Sequence, residues 1–177
     1  MRVTAAAQRA VSRTAPPSLG HMSLQLPPDQ WFASLPTSYL ASSGLITDPG
    51  GRVLLVDPNY RAHWTLPGGV VEQDEPPHVA CEREIAEEVG LKVEPGVLLA
   101  VQWSAPREER PRPFCSFVFD CGEVPADTAI TLQAGELDDY AFLEPDAALA
   151  RMHPAIAPRL EAALEGRRQG RAVYVAS

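Results

Sequence analysis

GVVEQDEPPHVACEREIAEEVGL, residues 69–91, contains a helix with two chemically different sides. Pro76 and Pro77 suit the first helical turn, where a missing N–H costs nothing, and Gly90 suits the position just past the end, so a helix is expected over roughly 76–89. At 100° per residue Glu84, Glu87 and Glu88 share one face, while Cys81, Ile85, Ala86 and Val89 form an apolar stripe turned away from it. Two carboxylates about 6 Å apart repel by roughly 0.7 kcal/mol in water and nearly 3 at an effective dielectric of about 20. Three together favour a cation, and hard oxygen ligands select Mg²⁺, with Mn²⁺ as a substitute. Glu82 points away from the trio and is read as a solvated bystander.

In order, the segment reads Gly69, five residues, Glu75, seven residues, Arg83-Glu84-Ile85, one residue, Glu87-Glu88, one residue, Gly90-Leu91. At every defining position this resembles the Nudix box, and the preceding Trp64-Thr-Leu-Pro-Gly-Gly69 resembles the strand-to-loop entry of that family. The resemblance covers roughly residues 36–150. It implies an α/β fold, an α/β/α sandwich around a mixed β-sheet. It also implies metal ligation by Glu84, Glu87 and Glu88 with the Gly68 carbonyl, and a structural brace between Glu75 and Arg83.

Segments 38–47 and 52–57 flank Asp48-Pro-Gly-Gly51 and read as a hairpin. Residues 97–103 read as a further strand, and residues 114–121 alternate, with Cys115, Phe117, Phe119 and Cys121 expected to face the core. Between them, SAPREERPRP (104–113) is a charged, Pro-rich exposed loop whose length suits a substrate-side lid. Residues 154–166 have helical spacing and read as a packing helix, with 171–176 closing as a short strand. In the family a further acid stands before a strand after the box; the matching segment here is ELDDYAFLEPDAAL, with its aromatic at Phe142. That makes Glu136 the first candidate for a second-site acid, either an outer metal ligand or the general base, with Asp139 its competitor and Glu87 or Glu88 the alternative base within the box.

Composition bounds the rest. A chain of 177 residues suits one domain, expected over 23–177, and 45% hydrophobic content says globular. The Ala-rich, acid-free residues 1–22 read as a disordered extension, with Met22 as an alternative start. No apolar run approaches the ~20 residues that span a bilayer, so no membrane role is expected. A net charge of −8 argues against polymeric nucleic acid as a partner. Cys81, Cys115 and Cys121 form no CxxC pair, and reduced thiols in a cytoplasmic protein are the expectation. Dimerisation is common in the family, and residues 24–40, with Trp31 and Phe32, offer a partner-facing strand.

The chemistry implied by the resemblance is Mg²⁺-dependent hydrolysis of a nucleoside diphosphate linked to another moiety, with ADP-ribose or a similar nucleotide as substrate. Arg61, Trp64 and Trp103 are substrate candidates, followed by Tyr60, Phe114, Arg107 and Arg112. The alternative is a catalytically silent domain that binds a nucleotide sugar as a sensor, which the intact box disfavours. An isoprenyl diphosphate isomerase would need a cysteine at the pocket, and Cys81 lies on the apolar stripe.

Overall fold

The computed structural model describes residues 26–125 and 127–177. These belong to two compact units, one ending at Pro36 and one spanning Thr37–Ser177. The expectation of disorder over residues 1–22 lies outside the described residues. In the first unit Trp31 and Phe32 sit on a helix, α1 (Pro28–Ser34), which corrects the expected partner-facing strand. Pro28 pre-sets the first turn and Asp29 complements the helix N-terminus, so local chemistry favours the helix.

In the second unit β1 (Tyr39–Thr47) and β2 (Val53–Pro58) form the expected antiparallel hairpin. Asp48 closes its turn by accepting the Gly50 and Arg52 N–H groups. Next come β3 (Gly68–Val70), α2 (Pro77–Val89), β4 (Leu98–Ser104) and β5 (Phe114–Glu123). The chain ends with β6 (Leu137–Leu143), α3 (Pro145–Arg151), α4 (Ala157–Gln169) and β7 (Val173–Ala176). The strand order is β6-β2-β1-β5-β4-β7, with β3 paired to β1. The β1–β5 and β4–β7 pairs are parallel and the others antiparallel, giving the expected mixed sheet.

Helices cover both faces of the sheet. Val53 and Leu55 pack with Leu160 and Ala163 of α4, whereas the alternate residues Leu54 and Val56 pack with Cys81, Ile85 and Val89 of α2. This is the α/β/α sandwich, and it changes the reading of β5. Ser116 and Val118, on the face opposite the expected core set, are buried, while Cys115, Phe117 and Phe119 are only half-buried. A strand sandwiched between helices has no solvent face, so alternation there separates two cores rather than core from water.

The expected apolar stripe of α2 also needs correction. Ala86 is exposed and Glu88 is buried. Cys81, Ile85 and Glu88 stand at i, i+4 and i+7, one continuous ridge on a 3.6-residue helix, so the ridge that anchors α2 carries Glu88 inward. Among the described residues no helix is long and apolar enough to cross a membrane.

Candidate active site

The box glutamates occupy three environments. Glu87 is half-exposed, Glu84 is half-buried beside β3, and Glu88 retains only 4% of its surface. The last is placed by Gly68, whose N–H donates to Glu88 Oε2 at 2.7 Å. Gly68 has φ +140°, and a Cβ there would collide with the Ser42 carbonyl oxygen of β1. Only glycine lets β3 lie this close to β1 with its backbone turned toward the α2 carboxylates. Gly69 does the same for its neighbour: a Cβ would fall 2.5 Å from both carboxylate oxygens of Glu84.

Arg83 ties the loop to the helix. Its Nε and one terminal nitrogen donate to the two carboxylate oxygens of Glu75 at 2.9 and 3.0 Å. The other terminal nitrogen donates to Glu84 and Glu87 at 2.9 and 3.1 Å, and the Val70 carbonyl accepts a further bond at 3.2 Å. The Arg83 hydrogen bonds, with help from the Glu72 N–H, hold the Glu75 carboxyl below its ordinary range. In return Glu75, ahead of Glu84, holds Arg83 firmly charged. Glu84 responds oppositely to Glu75 although both meet Arg83: burial raises it more than the guanidinium lowers it. Burial also pushes Glu88 up to about 7, opposed by the Gly68 N–H and Arg61 and reinforced by Glu84 and Glu136.

A cavity of about 310 Å³ gathers these groups, lined by Glu84, Glu87, Glu88 and Glu136 with Gly68, Gly69 and Arg61. Tyr60, Val70 and Gln133 complete its wall. Glu136 stands just before β6, where its backbone carbonyl accepts the Asn59 N–H at 2.9 Å and so sets the loop against the end of β2. Asp139 lies farther along β6, opposite Asp57, and does not reach the cavity. The donor set suits a hard divalent cation, because several oxygens converge and two of the carboxylates are disfavoured as bare ions by burial. Among the described residues no three acidic groups are yet drawn together tightly enough to enclose an ion; Glu84 and Glu87 lean on Arg83 instead.

Two of the three aromatic and cationic substrate candidates lie elsewhere. Trp64 packs on the core beside α3 and stacks under the Arg151 guanidinium, 4.6 Å from the ring centre. Trp103 is paired with Cys115 and Ala176 within the sheet. Trp64 serves packing, and Trp103 lines neither of the two cavities. Arg112 sits over the Tyr39 ring and lines neither of the two cavities. Arg61 does line the site, and it also lines a second cavity of about 300 Å³ on the other side of β3. Arg107 and Phe114 line that second space, together with Arg110 and Arg159, which the sequence reading did not single out. Arg159 was concealed in a helix read only for its packing residues. A cation at the third position of an Ala- and Leu-rich helix, away from the two arginines of its last turn, was the available signal.

The family model described as NUDIX domain matches residues 38–163, extending past the 36–150 expected and into α4. A MutT-like protein of Streptomyces ambofaciens is 30% identical over 145 residues, covering 82% of this chain and 89% of that protein. Among solved structures, a MutT protein from Methanosarcina mazei Go1 is 25% identical with a TM-score of 0.62, over 76% of this chain and 96% of that one. The E. coli ORF135 protein is 28% identical with a TM-score of 0.59, over 76% and 94% respectively.

Proposed function

The chain belongs to the Nudix hydrolase family, and from that premise we propose that it hydrolyses, with Mg²⁺, the diphosphate of a nucleoside diphosphate linked to a further group. The observation that carries this reading is the single cavity in which four glutamates converge on the Gly68-Gly69 backbone. A solvated acidic helix face would leave its carboxylates in water. Here Glu88 is buried and Glu84 is half-buried, at a desolvation cost that a bound cation would offset.

In this reading Glu84, Glu87 and Glu88, with the Gly68 carbonyl, hold the divalent ion. When bound, that ion supplies charge neutralisation at the diphosphate oxygens and makes water more acidic. The chain's own residues do the rest. Arg83 and Glu75 brace the loop against α2, so the glutamates keep their spacing as charge changes during binding. Arg61, at the border of both cavities, meets phosphate oxygens and strengthens their hold. Glu136 accepts the proton of the attacking water; of the two post-box acids it is the one that lines the cavity, and its exposed side chain is able to reorient.

A hydrolysis panel read as nucleoside monophosphate formed tests this. ADP-ribose, nucleoside triphosphates, dinucleotides and nucleotide sugars are assayed with Mg²⁺, with Mn²⁺ and with chelator. Turnover of at least one diphosphate that chelator abolishes is the expected result. Tight binding without turnover across the panel would overturn the enzymatic reading in favour of a nucleotide sensor.

A further inference from the structure

The second cavity differs in kind from the acidic one. It shares Arg61, Gly68, Gly69 and Val70 with it, so the two spaces are neighbours across β3. Its lining contains four arginines, Arg61, Arg107, Arg110 and Arg159, and no carboxylate. They come from three places in the chain: the β2–β3 connection, the β4–β5 loop and α4.

Elsewhere among the described residues four arginines are matched by acids, while Arg112 and Arg151 lie over aromatic rings. Arg52 pairs with Asp48, Arg83 with Glu75, Arg167 with Asp120 and Arg168 with Glu165. The cavity arginines meet only neutral acceptors among the described residues. Arg61 donates to the Tyr60 hydroxyl at 2.7 Å, and Arg110 to the carbonyls of Arg112 and Ala105 at 3.0 and 2.9 Å. Arg159 uses Nε alone, donating to Gln102 Oε1 at 2.9 Å.

That last contact is built. Gln102 is fully buried on β4, and its amide nitrogen donates to the Ala155 carbonyl at 2.8 Å and to Ser177 Oγ at 3.2 Å. Those two bonds turn the amide oxygen toward Arg159 and hold the guanidinium from behind. The terminal nitrogens remain available to the cavity that Arg159 lines. Burial, followed by the nearby Arg61 charge, lowers Arg159 to about 10, which leaves it charged at neutral pH. A half-buried cation held in place, with no carboxylate hydrogen-bonded to it and three more arginines lining the same cavity, is the usual cost of a prepared anion site.

We propose that the arginine cavity binds a phosphoryl group lying outside the diphosphate that is cleaved, so that the favoured substrates carry one phosphate more than the reaction itself requires. Guanidinium groups match phosphate oxygens in paired hydrogen bonds, and four cations match a multiply charged phosphate better than one carboxylate or a neutral sugar. This rests on the pyrophosphatase reading above, which places the cleaved diphosphate in the adjoining acidic cavity. The extra phosphate has two chemical sources: extension of the polyphosphate chain, or a phosphomonoester on a ribose.

The test has a metal-free arm and a turnover arm. In excess chelator, binding of inorganic tripolyphosphate is measured by calorimetry for the full chain and for Arg159→Met, Arg107→Ala and Arg168→Ala. Expected is binding that weakens at least tenfold in Arg159→Met and at least threefold in Arg107→Ala, with Arg168→Ala unchanged. Arg107 is on an exposed loop and bonds its neighbours only through backbone, so that variant keeps the result readable if Arg159→Met does not fold. With Mg²⁺, ATP is compared with ADP, and ADP-ribose 2′-phosphate with ADP-ribose. At least one pair should favour the extra phosphate tenfold in kcat/KM, and Arg107→Ala should erase the preference through KM. The pair that responds identifies the source. Metal-free binding that ignores both arginine substitutions overturns the subsite, even if hydrolysis is found. Arginine-dependent binding without hydrolysis of anything keeps the subsite and removes the pyrophosphatase reading instead.

Discussion

Replacing Glu88 with glutamine should make the metal-free protein more stable at pH 8 while removing its activity. Glutamine retains an acceptor for the Gly68 N–H, so the 2.7 Å bond survives and the change is chiefly one of charge. Burial raises the folded-state carboxyl from 4.5 to about 7, whereas the unfolded chain titrates at the ordinary value. The folded state therefore binds the proton more tightly. Below about pH 4 the group is neutral in both states and contributes no penalty. Stability is lost as pH rises from there through about 7, and above that the whole penalty is present. At 1.36 kcal/mol per pKa unit the gap corresponds to about 3 kcal/mol. Urea unfolding in chelator, repeated from pH 4 to pH 8.5, should show the two proteins converging at the acid end and the variant ahead at the alkaline end. Mg²⁺ at about a thousand times its Kd should reverse the order, since it stabilises the wild type by about 4.1 kcal/mol and the variant much less. The expected loss in kcat is at least about 10²-fold, or roughly 2.7 kcal/mol of barrier. Parallel pH profiles in chelator, or a variant less stable at pH 8, would refute the claim that Glu88 is held as a costly buried acid.

Further substitutions probe how the site is held. Gly44→Ala would place a Cβ 2.5 Å from Ile85 Cδ1 and 2.6 Å from Cys121 Sγ, between β1 and α2. Overpacking there should cost about 1–3 kcal/mol, read as a lowered thermal midpoint. Arg83→Met leaves Glu75 and Glu84 without their shared partner and should cost about 1–3 kcal/mol, less than a fully buried pair because the guanidinium is a quarter exposed. Its kcat should fall as well, and an unchanged kcat would show that the brace does not position the glutamates. Gly68→Ala, barred by φ +140° and by the Ser42 carbonyl, should abolish turnover even where circular dichroism shows a folded sheet. Trp103→Phe should leave KM for every substrate within about twofold, because the residue lies on β4 and lines neither cavity.

Legibility followed the range of the interactions. The hairpin around Asp48–Gly51, helix α2 with its proline start and glycine stop, strands β4 and β5, and helix α4 were all readable from local pattern. Helix α3 was missed inside a segment read for its acid and its aromatic, and α1 was mistaken for a strand on the strength of two aromatics. The β5 error came from treating alternation as core against solvent, when helices on both sides make two cores.

The box itself divides the same way. Spacing along one helix determined that Glu84, Glu87 and Glu88 stand within a turn of each other and that Arg83 and Glu75 flank them, because 3.6-residue geometry is local. Only the tertiary structure decided that Glu88 goes under the Gly68 loop while Glu87 stays at the surface, since that depends on how β3 crosses β1. The same holds for the arginine cavity. Arg61, Arg107, Arg110 and Arg159 share no local pattern, and their unmatched charge becomes visible only where sheet pairing brings two loops and α4 to one place.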